Sequence, residues 1–373
     1  MPPFQNIEID FIRLSPCPDP AAVVTESGST AAKPCPRSSH GLSVHLDGSA
    51  SVSLLLFGGE HIARTPLPLS QIFWSATKNS GEWTWKSLEN TLPPDMEPRV
   101  AHAQAVCGDY LYIFGGRSGI TMAECPFDDL WRYHVPSMAW ERVETHDVCP
   151  SARSFHKMVA HGDSCLYVFG GCGASGRLKD LWLFDTKKQK WEFAGESHLL
   201  AGRGGSHLLA LQDGAQEYLA AVGGFSGCET NDGHMYDIGS KAWRTEGADA
   251  TDMRMRSVGV YGSFRAANLS VIFGGEVDPS DRGHEGAGGF ANDVVAFVSR
   301  GGAIQVLGTF ENNQADEKDW PEARGWSDGC ACEEKGRNML YLYGGLTGND
   351  ECPQRLDDLW VCEVHVKNQE FSA

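Results

Sequence analysis

No run of apolar residues in this chain approaches the roughly 18 that a membrane-spanning helix needs, so nothing in the sequence points to a bilayer. The opening residues, Met1-Pro-Pro-Phe-Gln5, carry neither a basic flank nor an apolar stretch, so no secretory signal is expected and the cytoplasm is the expected compartment. Positive charge is scarce. Against 49 Asp and Glu stand only 31 Lys and Arg, a net charge of −18 with no basic patch anywhere along the chain. That balance argues against nucleic acid and anionic membrane as partners. The twelve cysteines include no Cys-x-x-Cys pair; the closest spacing is Cys330-Ala-Cys332. Several sit inside strand-like runs (Cys107, Cys165, Cys362), which suits reduced core or surface thiols better than a disulfide framework or a zinc site. Long stretches of helical period are missing, as are a Ser-His-Asp order, a phosphate loop and a dinucleotide fingerprint. Gly115-Gly-Arg-Ser-Gly119 has the glycines of such a loop but leads into no helix.

What the chain does have is a repeat. Three apolar residues followed by Gly-Gly occur six times, at Leu55–Gly59, Tyr112–Gly116, Tyr167–Gly171, Ala220–Gly224, Val271–Gly275 and Tyr341–Gly345. Successive first glycines are 57, 55, 53, 51 and 70 residues apart. Each unit opens with Arg, often followed by His: Arg37 and His40, Arg99 and His102, Arg153 and His156, Arg203 and His207. After the glycine pair comes an aromatic strand (Asp129-Leu-Trp131, Asp180-Leu-Trp182, Asp358-Leu-Trp360), and a last short strand often carries Trp (Trp85, Trp140, Trp191, Trp243). Strand-length runs separated by Gly, Pro, Asn and Asp fit an all-β chain, and a period of about 50 residues points to a kelch β-propeller.

The expected architecture is therefore a single six-bladed propeller over residues 1–373, with four antiparallel strands per blade. The blades fall at about 37–91, 99–146, 153–199, 203–250, 256–312 and 324–366. The last lacks a fourth strand, which residues 7–14 can supply to close the ring. Residues 16–35 read as an irregular surface segment, and Glu311 to Glu322 as an acidic connector. The recurring arginines (Arg37, Arg153, Arg203, Arg256, Arg324) are expected to bond carbonyls and carboxylates of the next blade, and the recurring histidines to be structural.

Glu276, Asp278, Asp281, His284 and Glu285 crowd a Gly-rich loop between the strand-like runs Leu269–Phe273 and Asp293–Phe297. Two accounts of it stand on composition: acidic side chains in solvated turns, or hard carboxylates with one imidazole suited to Fe(II), Mn(II) or Zn(II). Arg117 stands outside the repeat's own consensus, just after Gly-Gly, where a planar fork suits a sulfate or carboxylate.

The glycine pairs, Arg-x-x-His openings and closing tryptophans resemble the kelch family over nearly the whole chain. Pro36–Gly41, Ile113–Arg117, Ala152–Met158, Gly202–Gly205, Arg256–Val258, Gly275–Val277 with Gly283-His284, and Arg324–Trp326 resemble, in order, the specifier proteins of glucosinolate breakdown. That resemblance implies an Fe(II)-dependent protein, a homodimer, that steers unstable sulfated thiohydroximates to nitriles, epithionitriles or thiocyanates. The family's iron pattern, Glu-x3-Asp-x3-His, falls on Glu276 and His284; its middle position holds Ser280, with Asp281 one residue on. By the same resemblance Arg117 binds the substrate's anionic group, and Phe155 and Trp326 wall its pocket. The alternative is a non-enzymatic kelch scaffold whose face binds a protein partner.

Overall fold

The computed structural model describes residues 6–18, 33–48, 51–118, 126–144, 148–246, 252–312 and 319–367. The expected irregular segment lies mostly outside them at 19–32, as do 313–318 of the acidic connector and the expected blade ends at 145–147 and 247–251. Six antiparallel sheets form six blades, as the repeat requires. The first runs Ser38–Leu46, Val52–Ile62, Phe73–Asn79 and Glu82–Ser87, and the others repeat that order. A four-residue turn of α-helix, Leu69–Ile72, interrupts the first blade, and no helix among the described residues is long and apolar enough to cross a membrane.

Closure is by the N-terminal strand. Asn6–Leu14 pairs antiparallel with Pro353–Lys367 as the outermost strand of the sixth blade, with Ile9 opposite Val364 and Phe11 opposite Cys362. Phe11 is buried against Phe273 of the fifth blade, 5.1 Å between ring centroids. Strands from the two ends of the sequence thus share one sheet, which closes the ring.

Large aromatics fill the seams between blades. Each closing Trp packs on the glycine-pair strand of the blade before it: Trp85 on Tyr343, Trp140 on Phe57, Trp191 on Phe114 and Trp243 on Phe169, with centroids 5.1–5.8 Å apart. Such tilted and edge-on pairs add to the area they bury. The histidines sit in the same seams. His102 meets the Phe57 ring edge-on at 5.4 Å, His156 meets Phe114 at 5.3 Å, and burial pushes all four imidazoles down.

The repeating arginines build the blades from within. Arg99 donates from both Nη atoms to Asp129 (2.6 and 2.9 Å) and from Nη1 to the Gly115 carbonyl, and Arg153, Arg203, Arg256 and Arg324 repeat this with Asp180, Asp232, Asp293 and Asp358. These partners belong to the arginine's own blade, not the next one as the sequence suggested. The next blade is reached by backbone instead: the second glycine of each pair donates to the arginine carbonyl that follows, as in Gly59 to Arg99 and Gly116 to Arg153. That geometry explains the glycines. Gly115 and Gly116 have φ of 62° and 90°, and a Cβ on Gly116 would lie 2.8 Å from the Val100 oxygen.

Candidate functional site at the channel mouth

One residue per blade builds the floor of the site. Ser39, Ala101, Phe155, Gly205, Val258 and Trp326 follow the arginines by two residues, and all have positive φ between 48° and 62°. Each donates its amide to the carbonyl of its predecessor in the preceding blade: Ala101 to Ser39, Phe155 to Ala101, Gly205 to Phe155, Val258 to Gly205, Trp326 to Val258 and Ser39 to Trp326, at 2.8–3.0 Å. Six hydrogen bonds thus close a circle around the propeller axis. The left-handed conformation is costly for a β-branched residue such as Val258 and for bulky Phe155 and Trp326. It persists because each residue is held on both sides.

A second circle surrounds the first. The residue before each floor residue pairs with the residue after Gly-Gly: Ser38 with Glu60, Val100 with Arg117, Ser154 with Cys172, Gly204 with Phe225, Ser257 with Glu276 and Gly325 with Leu346. The repeat therefore delivers Glu60, Arg117, Cys172, Phe225, Glu276 and Leu346 to equivalent places at one end of the channel. Apart from the two glutamates these residues are chemically unlike, although the frame holding them is uniform.

A cavity of about 420 Å³ opens over one side of the two circles, within the size range of small-molecule sites. Arg117, Phe155, Trp326 and Glu276 all line it, so four of the residues singled out in the sequence meet in one place. The Arg117 guanidinium lies 5.0 Å from the Phe155 ring centre, and Phe155 meets Trp326 edge-on at 5.4 Å. Reading the sequence missed Arg177, Phe225 and Cys172, which line the same cavity. Arg177 lies 4.6 Å over Phe225, so two cations rest on two aromatic faces. Two of the three are one step from a sequence signal, since Cys172 and Phe225 directly follow glycine pairs. The Cys172 thiol is pushed up by burial, against the weaker pull of Arg177 and Arg117.

Glu276 is the buried acid of the cavity. Burial first, and the neighbouring Glu229 charge second, push its carboxyl up to about 7, while hydrogen bonds from the Trp326 side chain and the Ser280 backbone pull the other way. Glu229 is itself buried, accepts from the Ser257 hydroxyl at 3.3 Å, and is pushed up mainly by burial. Downstream, Glu276–Asp278 pairs with Gly289–Phe290, and Pro279, Ser280 and Gly283 complete this wall of the cavity. Asp278 and Asp281 are exposed. His284 lies in the one-turn 3-10 helix Gly283–Glu285, and its side chain falls outside the described residues. Among the described residues no three His, Cys, Asp or Glu side chains converge on one point.

On the strand side of the floor circle, the channel holds a second cavity of about 270 Å³, lined by residues that follow the floor residues along the innermost strands. Lys157 spans it, 4.0 Å from Asp328 and 5.3 Å from the Tyr261 ring centre. Of the residues named from the sequence, the recurring His40 and His102 and the thiol of Cys330 line it, but none of the candidate site residues does.

The comparisons with known proteins agree with this architecture. Over 363 residues the chain is 24% identical to the N-(sulfonatooxy)prop-2-enimidothioate sulfolyase of Thlaspi arvense, covering 89% of this chain and 94% of that protein. It is 29% identical over 131 residues to Kelch domain-containing protein 1 of Mus musculus, which is 33% of this chain and 31% of the relative. It is 31% identical over 200 residues to acyl-CoA-binding domain-containing protein 5 of Arabidopsis thaliana, 53% of this chain and 29% of that one. The solved structure of YjhT shares the fold, with a TM-score of 0.62 at 17% identity over 90% of this chain and 99% of that one. The model of the KLHDC2/KLHL20/DRC7 Kelch-repeats domain matches residues 49–275, more than half of the sequence, and the chain belongs to that kelch family.

Proposed function

We propose that this chain is a metal-dependent lyase of the specifier type, acting on a small sulfated thiohydroximate. The observation that carries the reading is the meeting of Arg117, Phe155, Trp326 and Glu276 in one cavity. The likeness to the Thlaspi arvense sulfolyase along most of both chains supports it. The substrate named for that relative carries a sulfonatooxy group on the imidothioate nitrogen, with the sulfur on the adjacent carbon of a short chain. Arg117 presents a fork matched to sulfate oxygens, and Arg177 adds a second positive charge to the same cavity. When the N–O bond breaks, its electron pair leaves with sulfate, and the extra negative charge develops beside these guanidinium groups, where fixed charges act most strongly. Phe155, Trp326 and Phe225 pack on the carbon chain and exclude water from the sulfur end.

The acidic wall is the proposed place for a divalent first-row ion. Glu276 offers a hard oxygen, and an acid lifted by burial and by Glu229 is one whose ionised form a nearby cation favours. Glu276 and His284 would hold the ion, most naturally Fe(II). Once bound, it supplies a Lewis acid for the substrate sulfur.

Anaerobically purified protein is expected to bind Mn(II), a redox-stable stand-in, at one site by calorimetry, and Glu276→Gln to lose that binding without loss of fold. Freshly generated sulfated thiohydroximate is expected to give nitrile, epithionitrile or thiocyanate in the presence of the native chain. No metal binding together with unchanged products would overturn the reading. The propeller would then be a scaffold whose mouth docks an anionic segment of a protein partner.

A further inference from the structure

Two residues past the floor, each innermost strand brings one side chain to the same level of the channel: Gly41, Ala103, Lys157, His207, Val260 and Asp328. His207 is neutral there, pushed by burial down to about 3. Only Lys157 and Asp328 bring a charge. They stand on the third and sixth blades, which face each other across the ring that the floor circle traces. The same two blades meet at the floor itself, where Phe155 and Trp326 touch edge-on at 5.4 Å. An aromatic pair thus crosses the axis at the floor, and an ion pair crosses it again on the strand side, inside the cavity of about 270 Å³.

The ion pair is loose. Lys157 Nζ lies 4.0 Å from Asp328 Oδ1, beyond the roughly 2.7–3.2 Å of a hydrogen bond. Asp328 Oδ2 is committed elsewhere and accepts from the Leu42 amide at 2.9 Å. The other neighbour of the ammonium is the face of Tyr261, 5.3 Å from the ring centre. Among the described residues no acceptor lies within hydrogen-bond distance of Lys157 Nζ. Its side chain nevertheless keeps only 17% exposure. An ammonium has three N–H donors, and a charge withdrawn from water without hydrogen-bonded partners is costly. The rest of the wall offers no second carboxylate: its one further charged side chain is Arg265, a cation held by Glu217. Ala103, Ala105, Gly262 and Ala331 leave the bore open around the pair. The volume lies just below the roughly 300 Å³ at which sites for drug-sized ligands begin, and it admits a ligand of a few heavy atoms.

We infer that the channel beneath the floor is a second binding site, for a small oxyanion such as formate or sulfate, held by the Lys157 ammonium. The anion accepts from the donors that Asp328 leaves unused. This site is separate from the mouth: its residues are different ones, and the Phe155–Trp326 pair lies between the two.

The test is calorimetric titration of formate, and separately of sulfate, into the full-length chain at constant ionic strength, with the unfolding midpoint followed in the same series. The native chain is expected to bind saturably and its midpoint to rise with ligand, because only the folded state has the site. Lys157→Met keeps the length of the side chain and removes its charge. Its affinity is expected to fall at least about ten-fold, the worth of a hydrogen bond to a charged group, and the rise in midpoint to vanish. Asp328→Asn keeps an oxygen to accept from Leu42 and removes the competing charge. There the affinity is expected to increase several-fold, since the anion no longer faces a carboxylate beside its ammonium. That increase carries the inference even if Lys157→Met does not fold. Weaker binding in both variants would make the pair a strut that shapes the channel, and would overturn it. So would a native chain without saturable binding. Binding that survives both substitutions unchanged would place the anion at the mouth, overturning the channel site and leaving the metal-dependent reading untouched.

Discussion

Arg99 and Arg117 belong to the same blade and are used in opposite ways. Arg99 is almost wholly buried, with its guanidinium engaged by Asp129 and by the carbonyls of Gly115 and Glu97. Arg117 is half-buried at the cavity wall and lies over the face of Phe155. The first recurs in every blade, clamping an Asp of its own blade in five and the Gln71 carbonyl in the first, because each blade needs a clamp at the same place. The second appears once, at a position that elsewhere holds Glu, Cys, Phe or Leu. In a repeat protein, recurrence marks the frame, and departure from it at a fixed structural position marks the site.

The strongest challenge to that contrast is to remove one clamp. Arg153→Ala leaves Asp180 in place without its bidentate partner and is expected to cost about 3–5 kcal/mol in urea unfolding. A loss below about 1 kcal/mol would mean the recurring arginines are not the frame. Arg117→Ala is expected to do the reverse: little change in unfolding midpoint, with binding of a sulfate-ester probe weakened by about ten-fold or more, the worth of a lost hydrogen bond to a charged group. Equal damage to fold and binding would erase the contrast.

A gentler test uses pH. Burial is the largest single influence on the Asp129, Asp232 and Asp358 carboxyls and raises them, yet the hydrogen bonds and charges of Arg99, Arg203 and Arg324 together with the other local bonds outweigh it and hold all three below the ordinary value. A carboxyl depressed by folding contributes stability that is fully present above its unfolded value of about 4 and is lost as pH falls through the folded value. The native unfolding midpoint is expected to decline below about pH 4, and that of Arg99→Met/Asp129→Asn to decline less steeply. Parallel curves would show that these pairs do not titrate with folding.

Much of this was legible in the sequence, because a repeat states each structural requirement six times. The blades, the four closing tryptophans and the N-terminal strand of the sixth sheet all follow from it. Where the sequence misled, the cause was distance in space: it gave the arginines partners in the next blade, whereas the side chain turns back to the Asp of its own. Phe155 and Trp326 came from the family resemblance; their shared place in the floor circle shows only in three dimensions, because their left-handed backbone has no signature in residue type. Cys172 and Phe225 stood in view after their glycine pairs but read as ordinary strand residues.

The floor circle has an evolutionary consequence. Its six amides all donate in one rotational sense and are all engaged, so the floor backbone has no donor left for a ligand. Chemistry at this mouth has to come from side chains, those at the two sets of six positions first and then those, such as Arg177, that neighbouring segments add. New substrates can therefore be acquired by point substitution at those places, with no insertion, no loop remodelling and no change to the hydrogen bonds that close the ring. A frame of this kind lets distant members of one lineage differ in what they recognise while keeping the same shape.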